Sequence, residues 1–301
     1  MNETSRESIL KDVVNDVIAV RLTIEDVVRI PYNNVKDEII SFIREFDEKH
    51  GFNKYVIGLS GGIDSSVAYR ILVEALPRDK ILTLIMPDKR VTPPNDTLDA
   101  IELARQFGVD YNVIEISGIV DRFLESIGRT GSRIAVGNLR ARVRAGLLYF
   151  FANDANGVVV GTSDRSEILI GYYTKYGDGA ADIHPIACLY KSQVRRLARE
   201  LGLPREIYEK PSAPRLWENH LAEDELKIKY EDIDLILYAL FDLGLTIDDT
   251  VNATGLPREI VQRVVEMHVS SRHKRRLFNV PAISIAKRPI RELEVVGEVL
   301  R

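Results

Sequence analysis

The stretch "VIGLSGGIDSSV", residues 56–67, joins a short apolar run to closely spaced glycines and serines. Gly58, Ser60 and Gly62 match the G-x-S-x-G elbow that presents a nucleophilic serine. The same residues also suit a glycine-rich loop whose backbone amides bind a phosphate. The two interpretations assign different chemistry to Ser60, which either attacks a substrate or holds an anion.

The pattern on both sides of this stretch predicts a parallel sheet. "YVIGLS" is typical of a short buried strand, and "DSSVAYRILVEAL" of a helix that begins directly after the glycines. Two further strands, "KILTLIM" and "DYNVIEI", flank the helix "NDTLDAIELARQFG", and "GVVVGTS" is a fourth strand. This alternation predicts an α/β fold, a doubly wound parallel sheet with helices on both faces, followed by a helical C-terminal part.

Two helical segments precede the first strand. Apolar residues recur at helical spacing over residues 9–30 and again in "NVKDEIISFIREFDEKHG", where Asn34 is the expected cap and Gly51 the expected stop. An α/β-hydrolase elbow follows several earlier strands, so this order disfavours a serine nucleophile. The loop also lacks the Gly-Lys-Ser/Thr of a Walker A motif and the G-x-G-x-x-G of a dinucleotide fold.

Asp64 fits the phosphate interpretation only together with a cation. A carboxylate beside phosphates repels them unless a divalent ion lies between the two groups. Mg²⁺ is usually held by one or two carboxylates and by phosphate oxygens, so Asp64 is a candidate magnesium ligand. At the carboxyl edge of a parallel sheet, the free amides of a helix N-terminus point outward, where an anion binds readily. The sequence therefore predicts that Ser60 holds a phosphate.

The composition is typical of a soluble globular protein. The 301 residues are 45% hydrophobic and 29% charged, and a net charge of −4 disfavours bulk affinity for nucleic acid. Cys188 is the single cysteine, which is compatible with a reducing cytoplasm, and we expect its side chain to be buried. Charges interrupt the apolar residues of the first helical segment, so we expect neither a signal peptide nor a membrane span.

"SGGIDS" resembles the S-G-G-x-D-S pyrophosphate loop of the N-type ATP pyrophosphatases. Five later motifs occur in the order and approximate spacing of the ammonia-dependent NAD synthetases: "GNLRAR", "VVVGTSDRSE", "YYTKYGDGAADIHP", "LYKSQVR" and "SSRHKRR". The resemblance runs from about residue 36 to residue 276. It implies a Rossmann-like fold of the adenine nucleotide alpha-hydrolase type. It also implies a ligase that amidates deamido-NAD with ammonia through an adenylated intermediate, giving NAD, AMP and pyrophosphate.

The resemblance also implies which residues form the site. The residues implied to contact ATP, the co-substrate, are Gly58, Leu59, Ser60, Gly61, Gly62, Ile63, Asp64, Ser65, Thr162, Lys191 and Ser212. Those implied to contact deamido-NAD are Arg142, Lys175, Asp182, His273 and Lys274. Asp64 and Glu167 are the implied ligands of Mg²⁺, and Asp64 and Lys191 are the implied catalytic residues. Lys191 begins a predicted helix, where a cation opposes the dipole, so we expect an anion nearby.

Several of these residues also have ordinary structural interpretations. Glu167 suits the first turn of a helix, where a carboxylate complements the dipole. Arg140, Arg142 and Arg144 suit one solvated helix stripe, and residues 272–276 suit a charged helix end. The tyrosines of "GYYTKYG" suit packing as well as stacking on a nicotinate or adenine ring. Residue type alone does not decide between the two sets of interpretations.

We expect a single domain over residues 1–301, with a helical N-terminal extension over residues 1–34 and a mobile loop over residues 209–229. In that loop Arg215 stands where some members of the resembled family have a carboxylate, and the acidic run at residues 223–225 is a possible replacement. The resembled family is typically homodimeric. Its glutamine-using members carry an additional glutaminase domain, which has no counterpart here, so we expect free ammonia as the nitrogen source.

Three alternatives stay open. The chain could be an ATP pyrophosphatase-type ligase with another carboxylate or carbonyl acceptor, a serine hydrolase, or a nucleotide-binding regulatory module without chemistry. The tyrosine-rich loop and "SSRHKRR" argue against another acceptor. Asp64 argues against the hydrolase, because a carboxylate close to the nucleophile elbow is unfavourable in a serine hydrolase.

Overall fold

The computed structural model describes residues 21–276. Its sheet has four parallel strands, which are β1 (Tyr55–Gly58), β2 (Ile81–Ile85), β3 (Tyr111–Val113) and β4 (Val158–Val160). They lie in the order β3-β2-β1-β4. The chain moves outward from β1 to β3 and then returns to the other side of β1, so the topological switch point lies between β1 and β4. The predicted doubly wound sheet is confirmed.

Helices precede the sheet, connect its strands and make up most of the remaining chain. Those before β4 are α1 (Ile24–Val28), α2 (Tyr32–His50), α3 (Ile63–Ala75), α4 (Pro94–Phe107), α5 (Ser117–Ile127) and α6 (Arg133–Asp154). Those after β4 are α7 (Arg165–Ile170), α8 (Lys191–Glu200), α9 (Arg205–Tyr208), α10 (Ala222–Leu226), α11 (Tyr230–Leu237), α12 (Ile247–Thr254) and α13 (Arg258–Ser270). Short helical turns lie at Arg78–Lys80, Tyr238–Asp242 and Ser271–His273.

The two faces of the sheet bury alternate strand residues. Ile57 packs in a cluster with apolar residues of α2, α3, α4 and α8. Its neighbour Val56 points to the opposite face and packs with residues of α5 and α6. A third apolar cluster joins α1, α11, α12 and α13. Helices therefore cover both faces, and a helical C-terminal part follows, as the sequence predicted; the third apolar cluster beneath these helices was not predicted.

Two local predictions are wrong. Asn34 does not cap α2, because the helix begins at Tyr32, directly after Pro31. Cys188 is exposed rather than buried. The expected stop of α2 is confirmed, since Gly51 follows its last residue with a φ of 64°, a conformation that glycine adopts without strain.

The N-terminal helical segment is described only in part, because residues 1–20 lie outside the described range. Within that range, α1 begins after Thr23, whose amide donates to Asp26 Oδ2 at 2.8 Å. Residues 21–23 are not helical and α1 ends at Val28, so only this short part of the helical segment predicted over residues 9–30 is helical within the described range; residues 9–20 lie outside it. Across residues 21–276, no helix is both long and apolar enough to cross a bilayer.

Candidate active site

The loop between β1 and α3 is closed by its own serines. The amide of Ser60 donates to Ser65 Oγ at 3.2 Å, and the amide of Gly62 donates to Ser60 Oγ at 3.2 Å. Ser65 Oγ in turn donates to the carbonyl of Gly62 at 3.0 Å. The loop leads directly into the N-terminus of α3, where first-turn amides have no partner within the helix. Free amides and two hydroxyls thus lie together at the carboxyl end of β1.

The surroundings of Ser60 do not suit a nucleophile. Its Oγ lies 3.0 Å from Ser65 Oγ and accepts from Gly62, and among residues 21–276 no histidine hydrogen-bonds to it. A serine nucleophile is activated by an adjacent general base. The geometry therefore favours the phosphate loop over the hydrolase elbow.

Gly61 is required by the way this loop packs. Its φ is 75°, and a Cβ at this position would lie 2.1 Å from the backbone oxygen of Asp96. Both the left-handed conformation and the close approach exclude a larger side chain. The start of α4, which contains Asp96, is therefore packed directly on the phosphate loop.

A buried lysine gathers carboxylates from two loops of the sheet edge. The side chain of Lys191 is 0% exposed, and its Nζ lies 2.7 Å from Asp64 Oδ2, 2.9 Å from Asp164 Oδ2 and 2.9 Å from Glu167 Oε1. Asp64 follows β1, whereas Asp164 and Glu167 follow β4. The cluster therefore lies at the switch point, where ligands bind in doubly wound sheets. The anion expected beside Lys191 is found.

The charges of this cluster are strongly coupled. Burial alone would lower the pKa of Lys191, but the carboxylates of Asp164, Asp64 and Glu167 outweigh it and raise this pKa well above its ordinary value. Burial raises the pKa of Glu167 well above its ordinary value, against the opposing effect of Lys191. Burial likewise raises the pKa of Asp164. Three acidic groups surround one ammonium, so the cluster can accept a further cation.

A fully buried carboxylate, that of Asp234, stabilises the N-terminus of α8. Asp234 accepts from Ser166 Oγ at 2.5 Å and from the amide of Ser192 at 2.7 Å. Ser166 Oγ also accepts from the amide of Lys191 at 2.9 Å. These contacts satisfy the amides of Lys191 and Ser192, the first two of α8, and fix the backbone of Lys191. Burial raises the pKa of Asp234 to about 7.

The phosphate loop and the acidic cluster open into one cavity of about 270 Å³. Most of the residues that the resemblance assigns to ATP line it: Gly58, Leu59, Ser60, Gly62, Ile63, Asp64, Ser65, Thr162 and Ser212. Gly61 lies against α4, and Lys191 reaches the cavity through its contacts with Asp64 and Glu167, both of which line it. Residues 210–216 form the opposite part of the wall.

Comparison with known proteins separates the candidate ligases. The model of the family described as NAD synthase matches residues 35–278. The chain belongs to the NAD synthase family. It is 52% identical over 261 residues to the NH(3)-dependent NAD(+) synthetase of Hyperthermus butylicus, an alignment that covers 87% of this chain and 95% of that protein.

Solved structures agree with the NAD synthase assignment. The NMN synthetase of Francisella tularensis superposes with a TM-score of 0.75 at 32% identity, covering 84% of this chain and all 100% of that one. The NH3-dependent NAD synthetase of Campylobacter jejuni, solved with a nitrate ion, superposes with a TM-score of 0.71 at 28% identity and the same coverage. The fold and the family therefore match along most of the chain.

Four of the residues assigned to deamido-NAD form a second cluster, outside the lining of the cavity. Arg142 Nη2 donates to the carbonyl of Lys175 at 3.3 Å, and Lys175 Nζ donates to the carbonyl of His273 at 2.6 Å. Lys274 Nζ donates to the carbonyl of Gly171 at 2.6 Å. The basic cluster thus joins α6, the loop after α7 and the turn after α13.

Asp182 lies apart from this basic cluster. Its Oδ2 accepts from the amide of Val159 in β4 at 2.7 Å, and its Oδ1 lies 3.4 Å from the hydroxyl of Tyr149. These contacts give Asp182 a structural role beside the sheet. Its assignment to deamido-NAD stays a prediction.

Asp164 was not predicted from the sequence, although a signal was present. It caps α7, where its Oδ1 accepts from the amide of Glu167 at 2.8 Å and Glu167 Oε2 accepts from the amide of Asp164 at 3.4 Å. This reciprocal pair is a capping box, which "DRSE" indicates by its D-x-x-E spacing. Glu167 therefore lies in the first turn of α7, as its structural interpretation predicts, and it also contacts Lys191, whereas its role as a ligand of Mg²⁺ stays a prediction.

Two arginines of α6 do not lie on the solvated helix stripe that the sequence suggested. Arg140 is buried, and its Nε lies 2.7 Å from Asp88 Oδ2. Arg144 lines the cavity and donates from Nε to the carbonyl of Met86 at 2.9 Å. Arg142 alone is exposed. The spacing of four residues places Arg140 and Arg144 on one face of the helix, so the three arginines do not form one solvated stripe.

The loop over residues 209–229 is packed against the site. His220 is 3% exposed, stacks on Trp217 with ring centroids 3.5 Å apart, and has Glu225 Oε2 2.8 Å from its Nε2. Glu225 also accepts from the hydroxyl of Tyr172 at 2.7 Å, and Tyr172 lines the cavity. Glu225, from the acidic run at residues 223–225, thus contacts the cavity lining by its hydrogen bond with Tyr172. The mobility of this loop stays a prediction.

The donor set at the switch point fits a magnesium ion that arrives with a phosphate. Asp64 Oδ1 is buried and makes no hydrogen bond, so its lone pairs are available to a ligand. Within residues 21–276, no three His, Cys, Asp or Glu side chains form a ready-made metal cage. Mg²⁺ commonly takes one or two carboxylates and completes its shell with phosphate oxygens and water. Asp64 and Glu167 match that requirement.

Proposed function

We propose that this chain joins ammonia to the nicotinate carboxylate of deamido-NAD at the expense of ATP, and releases NAD, AMP and pyrophosphate. The observation that carries the proposal is the convergence of Lys191, Asp64 and Glu167 beside the Ser-Gly-Gly loop, in a chain of the NAD synthase family. Its relatives include the NH(3)-dependent NAD(+) synthetase of Hyperthermus butylicus, which supports ammonia as the nitrogen source.

The chemistry requires that the carboxylate be activated first. A carboxylate resists attack by ammonia because its negative charge lowers the electrophilicity of the carbon. In the proposed reaction a carboxylate oxygen attacks the α-phosphorus of ATP, and the bond from that phosphorus to the bridging oxygen of pyrophosphate breaks. Ammonia then attacks the acyl carbon, AMP leaves with the bonding electrons of the ester, and one proton is released to solvent.

The residues of the phosphate loop would hold the departing pyrophosphate. The free amides of α3 are donors in fixed positions, which stabilise developing charge without reorganisation, and the hydroxyl of Ser60 can rotate to add a further donor. Lys191 would neutralise part of that charge, and its complete burial strengthens its electrostatic effect. This is the physical reason for placing a lysine at the start of α8.

We propose Mg²⁺ as the resident cation, with Asp64 and Glu167 as its protein ligands. When bound, the ion supplies positive charge that stabilises the phosphate oxygens of ATP and of the leaving pyrophosphate. The free oxygen of Asp64 supports this role. A bound Mg²⁺ would also offset the repulsion between the carboxylate of Asp64 and the triphosphate of ATP.

The basic cluster of Arg142, Lys175, His273 and Lys274 is the proposed site for deamido-NAD. Two phosphates and a carboxylate give that molecule three negative charges, and cations held by backbone carbonyls are suited to bind it. Asp182 is proposed as a further contact. A homodimer and a cytoplasmic location, expected from the sequence, stay predictions; light scattering of the purified protein tests the first.

One assay tests the proposed function. The protein is incubated with ATP, Mg²⁺, deamido-NAD and ammonium, and NAD, AMP and pyrophosphate are quantified, with each component omitted in turn. Equal amounts of the three products are expected; without ammonium, NAD and AMP should not form, and pyrophosphate should not exceed the amount of enzyme. A parallel incubation replaces deamido-NAD with nicotinate mononucleotide, because one structural neighbour is an NMN synthetase.

The same incubations decide the alternatives. AMP release with the mononucleotide but not with deamido-NAD would assign a different acceptor. No AMP with any acceptor would overturn the ligase and favour a nucleotide-binding module. Ester hydrolysis that survives Asp64→Asn but not Ser60→Ala would restore the serine hydrolase.

A further inference from the structure

The peptide between Gly61 and Gly62 is held from outside the phosphate loop. Lys210 Nζ donates to the carbonyl of Gly61 at 2.9 Å, although the two residues are 149 positions apart. The amide at the other end of this peptide, that of Gly62, donates to Ser60 Oγ at 3.2 Å. Because the peptide unit is planar, fixing its oxygen also fixes the direction of its N–H. Lys210 and Ser60 therefore contact opposite ends of the same peptide unit, so the position of one affects the other.

Such an external contact is needed at this point of the chain. Neither Gly61 nor Gly62 has a Cβ, so the peptide between them can rotate at little steric cost. Gly61 cannot be replaced by a residue that would restrict the rotation, because Asp96 O would lie only 2.1 Å from its Cβ. A partner from elsewhere in the fold must therefore set the orientation of the peptide.

Lys210 is itself fixed in place by two acidic groups of α4. Its Nζ lies 2.9 Å from Asp96 Oδ1 and 2.6 Å from Asp99 Oδ2, and its side chain is 17% exposed. The same helix packs directly on Gly61. Lys210 is thus held in a fixed position between α4 and the phosphate loop, unlike a free surface cation.

Arg215 provides an internal comparison. It belongs to the same segment of the cavity wall, and its Nε lies 3.0 Å from Asp96 Oδ2, the other oxygen of the carboxylate that Lys210 contacts. Its hydrogen bonds within the described residues do not include Gly61. Arg215 and Lys210 therefore both attach this segment to α4, but only Lys210 contacts the phosphate loop.

We propose that Lys210 is a positioning residue, which orients the Gly61–Gly62 peptide so that Ser60 and the α3 amides are preset for the pyrophosphate part of ATP. The inference rests on the proposed role of the phosphate loop. It assigns a function to a residue of the loop over residues 209–229 that is separate from lining the cavity. The affinity for the β and γ phosphates of ATP should depend on Lys210, whereas the affinity for its adenosine part should not.

Binding measurements test this without turnover. ATP, pyrophosphate and AMP are titrated by calorimetry into wild type, Lys210→Met, Lys210→Arg and Arg215→Met, with Mg²⁺ and without deamido-NAD or ammonium. A hydrogen bond from a charged donor corresponds to about 10- to 100-fold in affinity. Lys210→Met should therefore weaken ATP and pyrophosphate binding at least about tenfold, and change AMP binding less than about threefold. Lys210→Arg, which keeps a charged donor, should regain most of the loss.

The matched arginine variant decides the interpretation. Arg215→Met is expected to change pyrophosphate affinity less than about threefold, because it loosens the segment without touching Gly61. An equal loss of pyrophosphate affinity in both variants, or an equal loss of ATP and AMP affinity in Lys210→Met, would overturn the proposal and leave Lys210 only the role of attaching this segment to α4. Should Lys210→Met fail to fold by circular dichroism, Lys210→Gln is judged by the same criteria.

These results are separable from those on the proposed function. Wild type that binds ATP and pyrophosphate but forms no NAD would contradict the proposed reaction and leave the positioning role fully testable. Wild type that binds neither ligand would contradict the phosphate loop itself, and the positioning role with it.

Discussion

Substitution of Lys191 by methionine tests the electrostatic core of the site. Its ammonium is fully buried and lies within 2.9 Å of three carboxylates. Methionine has a similar length but no charge, so Asp64, Asp164 and Glu167 would remain together without their common partner. Removing one member of a buried ion pair costs about 3–5 kcal/mol, because an uncompensated charge remains in the protein. Three carboxylates place Lys191→Met at the upper end of that range.

The cost of Lys191→Met should depend on pH in a defined direction. Burial raises the pKa values of Glu167 and Asp164 even in the presence of the lysine. Without it they rise further, so near pH 5 the carboxylates are neutral at little cost. Near pH 8, keeping a carboxyl group protonated costs about 1.4 kcal/mol for every pH unit by which the solution lies above the pKa of that group in the unfolded chain. The free energy of unfolding should therefore fall more in the variant between pH 5 and pH 8.

Urea unfolding followed by circular dichroism measures this directly, with a chelator present to exclude metal ions. Lys80→Met is the matched control, since the Lys80 ammonium pairs with Asp47, at 2.6 Å, and its side chain is 31% exposed. That variant should lose about 1 kcal/mol or less at either pH. Equal losses in the two variants, or a loss in Lys191→Met that is the same at pH 5 and pH 8, would refute the reasoning.

Three further predictions concern the loop, the metal and the buried acid. Gly61→Ala should lower the free energy of unfolding by about 2–4 kcal/mol and abolish AMP formation, because its Cβ would lie 2.1 Å from Asp96 O. Asp64→Asn and Glu167→Gln should each raise the Mg²⁺ concentration for half-maximal rate at least about tenfold, as read from initial rates in a magnesium titration. Asp234 has a pKa raised to about 7 by burial, so its stabilising effect is present below its ordinary pKa of 3.8 and is lost as the pH rises to about 7. Asp234→Asn removes that loss, and urea unfolding should show the stability of the variant relative to wild type rising by about 2 kcal/mol between pH 5 and pH 7.

Controls for these three predictions come from the same chain. Gly108 has a φ of 63°, and a Cβ added there would meet no atom within 4 Å, so Gly108→Ala should cost only the conformational strain, about 1 kcal/mol. A similar loss in Gly61→Ala would show that the contact with α4 is not limiting. An unchanged magnesium titration would remove Asp64 and Glu167 as ligands. Parallel pH curves for wild type and Asp234→Asn would contradict the burial argument.

Most of the fold could be predicted from the sequence because its signals are local. Three of the four strands, β1, β2 and β4, are short apolar runs, and the alternation of strands and helices predicts the parallel sheet. The carboxyl ends of parallel strands share one edge, so motifs after β1 and β4 were expected to meet there. The contacts of Lys191 with Asp64 and Glu167 agree with that expectation.

The remaining features depend on contacts that no local pattern encodes. Lys210 lies in a segment without a clear period, and its contact with Gly61 spans 149 positions. Asp88 and Arg140 are buried as a pair, 52 positions apart, where the sequence suggested only a solvated arginine. The start of α2 depends on Pro31 rather than on the more obvious cap at Asn34. In each case packing between distant segments or the local backbone overrides the residue-type signal.

The path of one oxygen atom tests the central claim most directly. Deamido-NAD labelled with ¹⁸O in its nicotinate carboxylate is converted to completion with ATP, Mg²⁺ and ammonium, and the products are analysed by mass spectrometry. If the carboxylate attacks the α-phosphorus at this site, each AMP carries one labelled oxygen and the pyrophosphate carries none. Label in the pyrophosphate, or NAD formed together with unlabelled AMP, would contradict the account.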